Sequence, residues 1–122
     1  MRYLCLIYDD EQQLDAMPKA ECDAFLAEYF DFTDTISASG HLVASEALQP
    51  VRTATTLRQR NGRLSTTDGP FAETREQLGG FYLIEARDLN EALQVAARIP
   101  SVRTGSIEVR PIMEFDEVPA SS

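Results

Sequence analysis

Apolar residues crowd the stretch Tyr3-Leu4-Cys5-Leu6-Ile7-Tyr8 almost without a polar break. Such a run predicts a central strand covered on both faces. Asp9-Asp10-Glu11 ends it, and residues 9–17 read as a loop leading to Pro18, whose missing N–H costs nothing in a first helical turn. Cys22, Phe25, Leu26, Tyr29, Phe30, Thr33 and Ile36 then recur at the i, i+3, i+4 spacing of one helix face. Gly40 fits a left-handed stop. Residues 41–48 predict a second strand, closed by Pro50. Residues 54–58 and 63–67 flank Asn61-Gly62, the strongest short signal for a hairpin because both residues tolerate positive φ. A further apolar strand is expected over 80–86. Asp88 caps a second helix, with Glu91 in capping-box position and Ala92, Val95, Ala96 and Ile99 on one face, and Pro100 ends it. The last strand, residues 106–115, alternates, with Ile107, Val109 and Pro111 on one side and Glu108, Arg110 and Ile112 on the other.

Setting the hairpin aside, the order is strand, helix, strand, strand, helix, strand. This predicts an α+β fold, a ferredoxin-like βαββαβ domain with an inserted β-hairpin. Two helices cover one sheet face and leave the other open. The first and third core strands are apolar at nearly every position, so the open face carries apolar area that a monomer rarely leaves exposed. A second copy packed sheet to sheet, with a cavity between, answers that need, and a homodimer is therefore expected. One domain over residues 1–115 suits a chain of 122 residues; residues 116–122, ending Val118-Pro119-Ala120-Ser121-Ser122, read as a flexible tail.

Composition narrows the function classes. Twenty acidic against eleven basic residues give a formal net charge of −9, which repels phosphate backbones. Arg52, Arg58, Arg60 and Arg63 cluster around the hairpin without interleaved aromatics and read as a solvated face, so no nucleic-acid partner is expected. The apolar N-terminal run is too short for a signal or a membrane span. Cys5 and Cys22 stand apart, outside any CxxC pair, and read as small buried apolar residues in a reducing, cytoplasmic setting. A single histidine, His41, and two scattered cysteines make no convincing zinc site. No phosphate-binding glycine motif or nucleophile elbow occurs, so no cofactor is expected.

The densest chemistry lies in Asp68-Gly69-Pro70-Phe71-Ala72-Glu73-Thr74-Arg75-Glu76, followed by Gly79-Gly80-Phe81-Tyr82-Leu83-Ile84-Glu85. Asp68 has two readings: a general base held rigid by Gly69 and Pro70 in an apolar cavity, or a turn residue accepting backbone N–H groups. Glu108 and Arg110 share one strand face. With Arg58 they form either a clamp for a carboxylate or phenolate or an ion pair that sets assembly geometry. Glu73, Arg75 and Glu76 are placed at a cavity mouth or in solvent. Gly79 and Gly80 fit a bulge or a close backbone approach better than a phosphate site.

These two motifs resemble the signature of the DGPF-type proteins of the YCII-related family. The opening Met1–Tyr8 stretch, Ala54-Thr55-Thr56-Leu57-Arg58 and Ile107-Glu108-Val109-Arg110-Pro111 carry the same likeness, which covers about residues 1–115. The resemblance implies a dimeric α+β barrel with a small molecule in each protomer's cleft. It also implies, for some members, lyase or dehydrochlorinase chemistry on hydroxylated aromatics by a His–Asp pair. Other members are associated with extracytoplasmic-function sigma factors. Here the region of the expected histidine reads Pro18-Lys19-Ala20-Glu21, and His41 lies elsewhere, so that pair does not carry over. Two functions follow as expectations. One is a small-molecule-binding barrel, with cofactor-free lyase or isomerase chemistry on an anionic or phenolic compound and Asp68 as acid–base. The alternative is a non-catalytic regulatory or interaction protein, linked to a sigma factor.

Overall fold

The computed structural model describes residues 1–115; the tail expected over 116–122 lies outside the described residues. Strands β1 (Arg2–Asp9), β2 (Leu42–Ala47), β5 (Gln77–Glu85) and β6 (Ser106–Pro111) form one antiparallel sheet in the order β2-β5-β1-β6. Helices α2 (Lys19–Ala38) and α3 (Leu89–Ala96) belong to the two crossovers. This is the ferredoxin-like arrangement, and the inserted strands β3 (Thr55–Arg60) and β4 (Arg63–Asp68) pair only with each other.

Alternation along β1 divides the two faces. Tyr3, Cys5, Ile7 and Asp9 are buried, while Leu4, Leu6 and Tyr8 are half-buried. The core joins Tyr3, Cys5 and Ile7 to Tyr82 and Ile84 of β5, Phe32 and Ile36 of α2, and Ala92, Val95 and Ala96 of α3, with Ile99 after it. Side chains opposite one another in an antiparallel pair share a face. The register Leu6–Phe81, Leu4–Leu83, Leu6–Glu108 and Leu4–Arg110 therefore places all six residues on the helix-free face.

Local signals explain the boundaries. Asp88 accepts from the Glu91 amide at 2.9 Å, capping α3. At the end of α2, Gly40 has φ +82°, the His41 amide donates to the Ile36 carbonyl and the Gly40 amide donates to the Ser37 carbonyl, the paired bonds of a Schellman stop. Asn61 and Gly62 have φ 52° and 74° and turn the β3–β4 hairpin.

Several sequence expectations change, and the last strand ends at Pro111 where 106–115 was expected. The stretch expected as loop contains a short helix, α1 (Glu11–Asp15), because the Asp10 carboxylate accepts from the Gln12 and Gln13 amides. β5 starts at Gln77, three residues before the expected start, since Leu78 and Gln77 pair with Tyr8 and Asp9 after a register shift. The α2 face is rotated: Phe32 is buried, whereas Leu26 and Phe30 are 53% and 64% exposed.

Candidate active site

Asp9 and Ser101 are the buried polar residues among those described, and they meet. Asp9 ends β1 on the helix side of the sheet. A short 3-10 turn, Pro100–Val102, follows Ile99 and presents Ser101, whose hydroxyl donates to Asp9 Oδ2 at 2.5 Å. Thr104 Oγ1 donates to Asp9 Oδ1 at 2.7 Å. Ser101 Oγ also lies 2.5 Å from the Tyr29 hydroxyl. The serine proton is directed to Asp9, so the tyrosine must donate to serine, and a directed chain runs Tyr29 to Ser101 to Asp9.

Gly105 makes this approach feasible. A Cβ there would lie 2.6 Å from Asp9 Oδ1 and inside the contact radius of the Tyr8 carbonyl oxygen. A second close passage occurs at Gly80, where a Cβ would stand 2.7 Å from the Glu46 carbonyl oxygen. The paired glycines thus serve backbone approach and a register shift, as the sequence suggested.

Asp9 opens onto a cavity of about 700 Å³ between the sheet, α1 and α2, within the usual range for small-molecule sites. Phe25, Tyr29 and Phe30 wall it from α2, Leu14 from α1, Met17 from the turn that follows, and Tyr82 from β5. Phe25 meets Tyr29 edge-on with centroids 5.4 Å apart. Burial, opposed in part by the Ser101 hydrogen bond and reinforced by the Asp9 charge, pushes the Tyr29 pKa up to about 12. Tyr82 is raised by burial as well. Both phenols therefore remain protonated donors at neutral pH. Thr33 Oγ1 donates to the Tyr29 carbonyl and receives the Tyr82 hydroxyl at 2.6 Å. Burial pushes the Cys5 thiol up to about 11, which removes it as a nucleophile.

The residues favoured by the sequence lie elsewhere. Asp68 is exposed at the end of β4, opposite Thr55. Its Asp-Gly-Pro corner is tied to the hairpin: Gly69 has φ +106°, its amide donates to the Ala54 carbonyl and its carbonyl accepts from Thr56 Oγ1. Arg58 donates to the Phe71 carbonyl at 3.0 Å. Glu73 is exposed in the loop before β5. Glu108 and Arg110 pair with each other on the helix-free face, and Glu108 holds the exposed guanidinium pKa up. None of these five lines the cavity. Cys22, expected to be buried, is half-buried in the cavity wall. His41 borders a separate depression, with Ser39 Oγ 2.7 Å from Nδ1 and Glu91 3.5 Å from Nε2, and ties the end of α2 to α3.

Sequence reasoning missed Asp9, Ser101 and Tyr29 as a site. The available signal was an acidic residue ending a buried strand, but its serine partner lies 92 positions away.

A family profile described as the YCII-related domain matches residues 1–116. The chain belongs to the YCII-related domain family. Among relatives of this YCII-related domain is an uncharacterised protein of Rhizobium meliloti (strain 1021), 40% identical over 114 residues and covering 92% of each chain. A solved structure of similar fold is 5-chloro-2-hydroxyhydroquinone dehydrochlorinase from Burkholderia phenoliruptrix AC1100, in complex with 2,5-dihydroxybenzoquinone. It shares 14% identity at a TM-score of 0.54, over 94% of this chain and 96% of that one. At that identity the likeness establishes the fold of the YCII-related domain and leaves its chemistry to the site.

Proposed function

We propose that this YCII-related domain binds a small organic molecule in the cavity between α2 and the sheet and performs cofactor-free acid–base chemistry of the lyase or isomerase kind. Asp9 is the proton acceptor. The observation that carries this reading is a buried carboxylate, 6% exposed, held by two hydroxyl donors at the edge of a mainly apolar cavity. In the forward step a proton passes from an acidic O–H, N–H or C–H of the ligand to Asp9, and the bond's electron pair stays on the ligand. Return of the proton to another atom completes an isomerisation; expulsion of an anionic leaving group completes an elimination. Ser101 and Thr104 hold the carboxylate in place, and Tyr29 orients Ser101.

A phenolic ligand suits this arrangement as an O–H donor, and the complex of the dehydrochlorinase of like fold supports it. An anionic ligand finds no Lys, Arg or His along the cavity wall among the described residues. Asp68, Arg58, Glu73, Glu108 and Arg110 enter the chemistry only if a second protomer carries them to the cavity. The apolar helix-free face supports such a homodimer. Asp9→Asn should retain the fold and lose turnover of any identified substrate by roughly 10²–10⁴-fold. Turnover preserved in that variant removes the assignment.

A second reading, a non-catalytic regulatory or interaction protein such as a sigma-factor partner, is supported by Leu57 and Leu64, 62% and 69% exposed. Both lie on the same face of the hairpin. Capture of a purified sigma factor by the protein, abolished by Leu57→Ser with Leu64→Ser while no small molecule is retained, would favour it.

A further inference from the structure

Hydrogen-bond polarity says which ligand the cavity accepts. The Tyr29 proton goes to Ser101, the Ser101 and Thr104 protons go to Asp9, and the Tyr82 proton goes to Thr33, whose own proton goes to the Tyr29 carbonyl. The Gln77 amide group is partly engaged: one Nε2–H donates to the Thr74 carbonyl, and Oε1 receives the Glu11 amide. Apart from the second Gln77 N–H, what these groups leave open are lone pairs. Ser45 is the one lining hydroxyl among the described residues for which no protein partner is recorded.

Charge points the same way. Asp9, Glu11 and Asp15 all border the cavity. Among the described residues none of them forms an ion pair with Lys, Arg, His or the N-terminus. Glu11 Oε2 receives only the Val51 amide, at 3.1 Å. Phe25, Tyr29, Phe30 and Tyr82 line the same cavity. Aromatic faces attract cations as carboxylates do, and an anion brought here would be desolvated against fixed negative charge.

We infer that the cavity takes a small organic cation, a protonated amine or amidinium on an apolar body, with its N–H groups directed at Asp9 and Glu11. The inference rests on the small-molecule reading above and puts a cationic N–H donor where that reading put a phenolic O–H.

Three probes of one skeleton test it: benzylamine (protonated at neutral pH), benzyl alcohol and benzoate, each titrated to millimolar concentration by calorimetry and thermal shift. Benzylammonium should bind roughly tenfold or more tighter than benzoate, with the alcohol between them, and the preference should shrink with added salt. Glu11→Gln, which keeps an acceptor for the Val51 amide, should reduce the preference severalfold, and Asp9→Asn should reduce it further. Benzoate or benzyl alcohol binding as tightly as benzylammonium overturns the inference while leaving small-molecule binding intact. A preference unchanged in both variants also overturns it. Binding of none of the three removes the small-molecule reading and this inference with it.

Discussion

Among the described residues the Asp9 carboxylate accepts two hydroxyl hydrogen bonds and meets no cation, so its environment depends on Ser101 and Thr104 being held in register. Ser101→Ala would remove a donor from Asp9 and the acceptor of the Tyr29 proton in one step. Leaving buried polar groups without partners costs about 1–3 kcal/mol, and the loss should appear as a lower urea midpoint with unchanged slope. Tyr29 supplies a pH signature. Its folded-state pKa is raised from 10.0 to about 12, so between those values the folded chain holds a proton that the unfolded chain has lost. Stability is then fully present below about pH 10 and declines as pH rises toward about 12. Tyr29→Phe should flatten that decline in unfolding midpoints measured across the alkaline range. A decline unchanged in the variant would place its origin elsewhere.

At the level of elements, the site depends on two chain segments passing closely. The turn after Ile99 and the start of β6 press against the end of β1, and Gly105 is the residue that permits it. Gly105→Ala has no room for its methyl group against the Tyr8 carbonyl and Asp9. We expect destabilisation of about 3 kcal/mol or more, measured by thermal unfolding, with ligand affinity lost before the fold. The hairpin obeys different rules. β3 and β4 pair only with each other, so Asn61→Ala should alter the arm's turn without moving the core. Amide exchange should show the change confined to residues 55–68.

At the scale of the whole molecule, one sheet face carries no layer among the described residues. Leu4, Leu6, Tyr8, Leu78, Phe81 and Leu83 are half-buried there, bordered by Glu108 and Arg110. Apolar area of this kind normally marks an interaction surface, and a second copy is the simplest cover, since identical faces are self-complementary under two-fold symmetry. Light scattering should give twice the chain mass at micromolar concentration, and Leu6→Glu should shift it to the monomer. A wild-type monomer would refute the expected homodimer. No helix among the described residues is long and apolar enough to cross a membrane.

Order along the chain settled the architecture. Continuous apolar runs, i, i+4 spacing, Gly40, Asn61-Gly62 and Asp88 are local signals, each read within a few residues, and they suffice for a ferredoxin-like domain with a hairpin. Local chemistry also made Asp68 conspicuous, because an Asp-Gly-Pro corner looks the same whether it serves a turn or a ligand. Only tertiary packing shows where these residues lie. It placed Asp68 on an exposed arm and brought Ser101 to Asp9 across 92 positions. Hydrogen bonds between strand end and distant turn leave no periodic trace, so the buried carboxylate, its hydroxyl donors and the polarity of the cavity are visible only once the chain has folded.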